Sequence, residues 1–296
     1  MNTLIETIKY FLFITFELTV LFLGISTIVA LVLMYLPDEK IKKWMAGKGV
    51  LGNIVGAIFG SLTPFCACST IPMTLGFLKI GIQFGVVMSF VIASPLLNPI
   101  IIAMMAALMG IKITVIYFLV TFIGAVIFGV LLEKTGGANL VKNVRLKSGN
   151  HDEKEEIPSV FSKKVKVSFM KAWDDFRGVL IYLLIGVGVG AAIYGYLPEE
   201  FVLRIAGPDN PLAIPIAAII GVPLYIRAES AIPIGLALMQ KGMSTGAVIA
   251  LIIGGAGMAI PEMSMLAGIF KKKLVGAVVS VIFLTAVVGG FIFNLI

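Results

Sequence analysis

The residues of this chain best suited to chemistry fall in four short polar interruptions of apolar sequence. The first reads Thr63-Pro64-Phe65-Cys66-Ala67-Cys68-Ser69-Thr70-Ile71-Pro72 and holds both cysteines of the protein. Thiols favour soft metals and metalloids over Mg²⁺ or Ca²⁺, and a helix N-terminus lowers a thiol pKa. Two sulfurs make an incomplete resident metal site, because structural zinc takes four ligands. They suit a passing thiophilic solute better, and no bound metal or cofactor is expected. The plainer alternative is that Cys66 and Cys68 are small, weakly polar packing residues. A disulfide between residues i and i+2 would be strained.

The second interruption runs from Pro223 to Pro233 and carries Arg227 and Glu229. Charges within apolar runs are costly and face a bundle interior or a cavity. Either the two pair locally and pin the segment, or Arg227 holds an anion and Glu229 carries protons. The third interruption is Ser94-Pro95-Leu96-Leu97-Asn98-Pro99, where two prolines four apart free carbonyls and Asn98 can donate and accept. The fourth is Gly254-Gly255-Ala256-Gly257-Met258-Ala259-Ile260-Pro261-Glu262, with Glu262 as a second candidate proton carrier. Proline and glycine kinks also occur in membrane helices without any ligand.

Composition says what must position these groups. Of 296 residues, 59% are apolar and 13% charged, and mean hydropathy is +1.07. A soluble domain carries about 25% charged residues. An ordinary cytosolic enzyme, a nucleic-acid-binding module and a disordered chain are therefore excluded, and the solvent is a lipid bilayer. With 23 Lys and Arg against 16 Asp and Glu, the net charge of +7 reports orientation before it reports a partner. The single histidine, His151, lies with an EKEE run in polar sequence, so no histidine-rich metal site is expected. The first apolar run has no basic n-region or cleavage site and reads as a retained membrane helix.

A helix needs about 20 apolar residues to span the hydrocarbon core. Runs 8–36, 84–109, 112–132, 174–197, 244–270 and 274–296 meet that need. The pairs 49–63 with 70–80 and 211–224 with 231–240 do not, and they read as two hairpins with polar tips. Ser69 and Ser230 are good N-caps, so a helix is expected to start at each, with Pro72 and Pro233 in the first turn. Gly52, Gly56 and Gly60, at spacing four, read as helix-packing positions. Residues 133–172 form a charged linker.

Sliding the chain by 161 residues superposes Leu36-Pro37 on Leu197-Pro198, Ser69 on Ser230, Ile71-Pro72 on Ile232-Pro233, Gly81 on Gly242 and Gly85 on Gly246. Pro99 and Pro261 match at 162. The expected architecture is an all-α polytopic membrane protein with two inverted repeats, 1–132 and 173–296. Each repeat has three long transmembrane helices and one hairpin broken near the midplane, giving about 8–10 membrane segments. With the linker in the cytoplasm, Lys40, Lys42, Lys43, Lys48, Lys79 and Lys271 to Lys273 also lie inside. That satisfies the positive-inside rule with both termini outside. Inverted repeats with discontinuous helices are the pattern of secondary transporters.

The run PFCACSTIP, followed by SPLLNP and a weaker second copy, resembles the bacterial and archaeal permease family that includes the methylarsenite efflux permeases. The resemblance covers nearly the whole chain. It implies an inner-membrane permease, not an enzyme, exporting trivalent organoarsenicals, with Cys66 and Cys68 handling substrate and Ser69 and Pro72 at the helix start. Together the readings give Cys66, Cys68, Ser69, Asn98, Arg227 and Ser230 as substrate-binding candidates, and Glu229 and Glu262 as proton-coupling candidates. The expected partners are a small-molecule substrate and the bilayer, without nucleic acid, and with room for a homo-oligomer. Three alternatives stay open: a carrier of a sulfur compound or anion held by Arg227, a membrane thiol oxidoreductase using the cysteine pair, and a structural or assembly subunit.

Overall fold

Where the sequence runs apolar without a break it forms one long helix, and where proline or glycine interrupts it the helix stops. In the computed structural model, residues 2–35, 45, 49–63, 67–141, 161–196, 210, 212–224, 228–240, 242–257 and 260–295 are described. The helices whose bounds are described in the first part are α1 (Asn2–Tyr35), α2 (Val50–Leu62), α3 (Ala67–Lys79), α4 (Phe84–Leu96), α5 (Pro99–Leu108) and α6 (Ile111–Lys134). Those in the second are α7 (Phe161–Tyr196), α8 (Ala213–Leu224), α9 (Ala228–Gln240), α10 (Thr245–Gly257), α11 (Ile260–Ile269) and α12 (Lys272–Leu295). No strand occurs among the described residues. Three helical segments among them are long and apolar enough to cross a membrane: Phe84–Leu108, Ile111–Lys134 and Lys272–Leu295.

Both ends of α9 through α12 fall 161 residues after those of α3 through α6. The proline match at 162 is therefore a local shift inside α5 and α11, not a slip of the chain. The hydrogen bonds recur at the same interval. Helix α3 ends in a Schellman turn, with Gly81 N–H donating to Leu78 O at 3.2 Å and Ile82 N–H to Phe77 O at 3.0 Å. Helix α9 ends likewise, with Gly242 donating to Met239 and Met243 to Leu238, both at 3.0 Å. The turn needs a left-handed residue, and Gly81 and Gly242 supply φ of 82° and 103°. At the next helix start, Gly85 N–H donates to Glu133 Oε2 and Gly246 N–H to Asn294 Oδ1, both at 2.9 Å. Each bond uses an oxygen from the end of a distant helix to satisfy an orphan N–H.

The short helices form returning hairpins. Along α2, Gly56 meets Val86 O and Gly60 meets Phe90 O and Ser94 N, so α2 runs parallel to α4. Along α3, Thr70 lies beside Ser94 and Phe77 packs edge-on against Phe90, so α3 runs antiparallel to α4. A 13-residue arm is about 20 Å long, too short to cross. In the second half, Gly221 meets Leu251 O and Gly255 N on α10, and Gly235 of α9 meets Val248. Helices α6 and α12 cross antiparallel, with Gly124 against Thr285 and Gly289 against Val120. Helix α1 packs along α7.

The charged stretch 133–172 is partly helical: α6 runs through Lys134, α7 begins at Phe161, and His151 lies outside the described residues. After a short 3₁₀ turn (Gly137–Leu140), Val141 makes an antiparallel bridge to Phe270. Lys271 N–H donates to Leu140 O at 2.8 Å and Lys271 Nζ to Asn139 O at 3.0 Å.

The close helix contacts give a direct test. A methyl at Gly60 would lie 2.8 Å from Phe90 O, and one at Gly221 would lie 2.5 Å from Leu251 O. Gly60→Ala and Gly221→Ala should each destabilise the protein by about 1–3 kcal/mol. Gly24→Ala and Gly276→Ala, which meet nothing within 4 Å, should leave stability unchanged or slightly raised. Thermal unfolding in detergent reads the contrast.

Candidate functional site

The helix ends that flank four interruptions lie at one level of the bundle. Helix α2 ends at Leu62 and α3 begins at Ala67, and Gly60 and Thr70, near those ends, both stand at Ser94. Three residues on, the α4–α5 helix breaks at Leu97-Asn98. Helix α8 ends at Leu224 and α9 begins at Ala228, with Gly221 beside Gly255, just before α10 ends at Gly257. The two sets touch: a methyl built on Gly257 would lie 3.3 Å from Leu96 Cδ2. Arm α3 also packs on α11 of the other half, and arm α9 packs on α5.

The break at Asn98 is built from local chemistry. Pro95 and Pro99 cannot donate to the carbonyls of Val91 and Pro95, which weakens the ladder there. Asn98 then caps the new helix, its Oδ1 accepting from Ile100 N–H at 2.9 Å. Asn98 is buried, at 8% exposure, and its side-chain oxygen is committed to the backbone. Leu96 O, whose ladder partner is thereby diverted, accepts from the hydroxyl of Tyr117 on α6 at 2.9 Å. Thr70 Oγ1 lies 3.5 Å from Ser94 Oγ, linking the hairpin arm to the broken helix.

The expected site residues are placed unevenly. Cys66 and Arg227, with Pro64, Phe65, Tyr225 and Ile226, lie outside the described residues. Cys68, Ser69, Glu229, Ser230 and Glu262 are described as helical backbone. The helices start earlier than expected. Helix α3 begins at Ala67 and α9 at Ala228, so Ser69 and Ser230 occupy third helical positions and are not N-caps. An acidic residue in the first turn is favoured by the helix dipole, which suits Glu229 in second position. The shift moves Pro72 and Pro233 out of the first turn to the sixth position, where each denies an N–H to the carbonyl four residues back. Those carbonyls belong to Cys68 and Glu229. The interrupted sites thus offer helix N-termini and carbonyl oxygens from the same few residues.

The sequence reading did not single out Tyr117, Glu133 or Asn294. Their partners lie 21 to 48 residues away, and no local spacing announces them. The recurrence of Glu133 and Asn294 at the 161-residue interval was available as a signal. Among the described residues, no group of three or more His, Cys, Asp or Glu is placed to hold a metal ion.

Residues 3–295 match the model of a family described as predicted permease, ArsP_1. The chain belongs to this permease family. Among individual relatives, the permease is 23% identical over 262 residues to UPF0718 protein YcgR of Bacillus subtilis, covering 88% of this chain and 87% of that protein. It is 23% identical over 256 residues to UPF0718 protein YraQ of Escherichia coli, covering 85% and 71%. UPF0718 protein MJ0584 of Methanocaldococcus jannaschii is 25% identical over 134 residues, covering 45% and 37%. No solved structure matches the permease. Family and apolar helices together make it an integral membrane protein.

The cap at Asn98 is separable from any role toward a solute. Asn98→Ala should cost about 0.5–2 kcal/mol of stability, and Asn98→Ser, which keeps an oxygen acceptor, should recover most of it. Thermal unfolding of the three proteins side by side reads this.

Proposed function

We propose that this permease is a secondary transporter of the cell membrane that moves a small thiophilic solute, trivalent organoarsenicals such as methylarsenite being the leading class, by alternating access. The observation that carries the proposal is the gathering of helix ends α2, α3, α4, α8, α9 and α10 at one level around the Leu96–Gly257 contact. Irregular backbone at membrane depth is tolerated where it is enclosed by protein or lines a watery cavity. Two such segments from each half favour a passage there.

The halves 1–132 and 173–296 are read as inverted repeats joined by the cytoplasmic segment 133–172, with both termini outside. Helix α4 is antiparallel to α6, as Gly85 to Glu133 and Leu96 to Tyr117 indicate, and α6 is antiparallel to α12. Helix α12 is in turn antiparallel to α10, with Gly246 at Asn294 and Gly257 at Ile282. Helix α10 therefore runs opposite to α4, its equivalent, and this supports the inversion.

In this reading Cys66 and Cys68 contact the soft atom of the solute. Ser69, Asn98 and Ser230 belong to the walls, and Glu229 or Glu262 exchanges protons with it. The direction of export and the arsenic chemistry follow the family likeness. A second reading, a small anion held by Arg227, is favoured by one observation: α3 and α9 begin beside the turns, so their N–H groups and positive dipole ends point there.

Methylarsenite accumulation in everted membrane vesicles separates the two. If sulfur binds the solute, Cys66→Ser/Cys68→Ser should lower uptake about tenfold or more, equivalent to ~1.4 kcal/mol of lost interaction. Wild-type uptake in the double variant would remove the thiol role. A larger loss from Arg227→Gln than from the double cysteine variant would favour the anion reading.

A further inference from the structure

Helix α7 is longer than a bilayer requires. Its 36 residues rise about 54 Å, against a hydrocarbon core of roughly 30 Å. Charge says which end is in excess. Residues 178–196 hold no Asp, Glu, Lys or Arg, and at about 28 Å they match the core. Residues 163–177 hold Lys163, Lys164, Lys166, Lys171 and Arg177 against Asp174 and Asp175. The first part of α7, 161–177, therefore runs on past the apolar layer as unbroken helix.

That segment has two unlike faces. Ser168, Ala172 and Phe176, spaced four apart, are buried, and Lys164 and Lys171 are half-buried. The other face carries Lys163, Lys166, Phe169, Met170, Trp173 and Arg177, at helical spacings of three and four, all exposed. Trp173 is 43% exposed and rests on Phe176, ring centroids 5.9 Å apart. Among the described side chains, Asp174 is the acid on this face. The same stripe continues into the apolar run at Ile181, 68% exposed, and at Leu184. Those two positions face lipid, so the stripe leads from the bilayer interior onto its surface. Aromatic rings interleaved with Lys and Arg are the composition of a membrane interface, and basic residues flanking a span attract anionic lipid. A second copy of the chain seated on this face by two-fold symmetry would instead set its cations against their own kind.

We propose that this face of α7 is a docking surface for anionic phospholipid headgroups. Arg177 and Lys166 contact phosphate, and Lys163 adds attraction at the outer end. Trp173, Phe169 and Met170 sit among the headgroups and the first methylenes. Arg177 and Trp173, one turn apart, lie at the edge of the apolar layer. Over-long helices lean, and a lean toward this face brings the flexible side chain of Lys166 within reach of the same surface. The inference needs an integral membrane protein, and not a thiophilic solute.

Tryptophan quenching in lipid nanodiscs tests it. The chain has two tryptophans, and Trp173→Phe gives the Trp44 emission to subtract. The discs hold phosphatidylcholine and phosphatidylglycerol, with acyl-chain bromine on one or the other at equal mole fraction. Brominated phosphatidylglycerol should quench Trp173 at least about twofold more strongly than brominated phosphatidylcholine. Sodium chloride at about 1 M screens exposed charge and should bring that ratio to about one. Lys163→Gln/Lys166→Gln/Arg177→Gln should do the same at low salt, and the salt arm carries the test if this variant does not assemble. Equal quenching by the two lipids at low salt, quenching by neither, or a ratio that persists in the triple variant or in high salt would overturn the proposal. Self-association that Trp173→Ala abolishes would give the face to a second copy of the chain and overturn it too. A permease that shows the expected ratios but does not carry methylarsenite would sink the transport reading alone.

Discussion

Backbone polar groups have no water to bond with inside a bilayer, so a helix that stops at that depth must have its open ends answered by the protein itself. Much of this permease can be understood as those answers. Asn98 accepts an N–H that the break leaves over, and Tyr117 reaches across from α6 to the carbonyl released by that exchange. At the opposite ends of α4 and α10, away from the breaks, Glu133 and Asn294 accept from the N–H groups of Gly85 and Gly246. Glycines at 56, 60 and 221 let one backbone lie against another, so each hairpin arm is sheltered where its chain turns. The break at Asn98 is held by specific donors and acceptors, and this lets it stay irregular without unravelling.

The two halves share these backbone devices and differ in side chains. The Schellman turns, the borrowed caps and the helix bounds recur at one interval. At the turns, Cys66 and Cys68 stand where the second half has Arg227 and Glu229. Around α4, hydroxyl and amide groups stand where α10 is surrounded by Val278, Ala250 and Ile214. A common frame thus carries sulfur at one interruption of the first half and charge at the matching interruption of the second, with Tyr117, Ser89 and Asn53 of the first half replaced by Val278, Ala250 and Ile214 in the second.

Phe84–Leu108, Ile111–Lys134 and Lys272–Leu295 were legible from hydropathy, whereas α7 starts 13 residues before its expected apolar run, and the 161-residue interval was legible because Pro37, Ser69, Gly81 and Gly85 fall in register with their partners. Gly56 and Gly60 were readable as packing positions from their spacing. The helix starts were misjudged. Serine at 69 and 230 is a strong local capping signal, yet α3 and α9 begin two residues earlier, because alanine is an excellent helix former and Glu229 gains from the first turn. Asn98 was noticed for its chemistry, but its commitment to Ile100 depends on the two prolines acting together. The bonds of Tyr117, Glu133 and Asn294 cross between helices, and a single sequence carries no marker for such pairs beyond the repeat interval. Cys66 and Arg227, on which the solute reading leans most, lie outside the described residues.

The clasp between Val141 and Phe270 gives the molecule a mechanical asymmetry. The corner joining α11 to α12 is stitched to the end of the first half through Leu140, Asn139 and Lys271. The equivalent corner between α5 and α6 is instead a glycine bend at Gly110, with φ of 93°. Helix α11 is thereby anchored at its Ile269 end. The two halves are thus joined at this corner by backbone hydrogen bonds as well as by helix packing, so a change that frees Lys271 from Leu140 and Asn139 would loosen both at once.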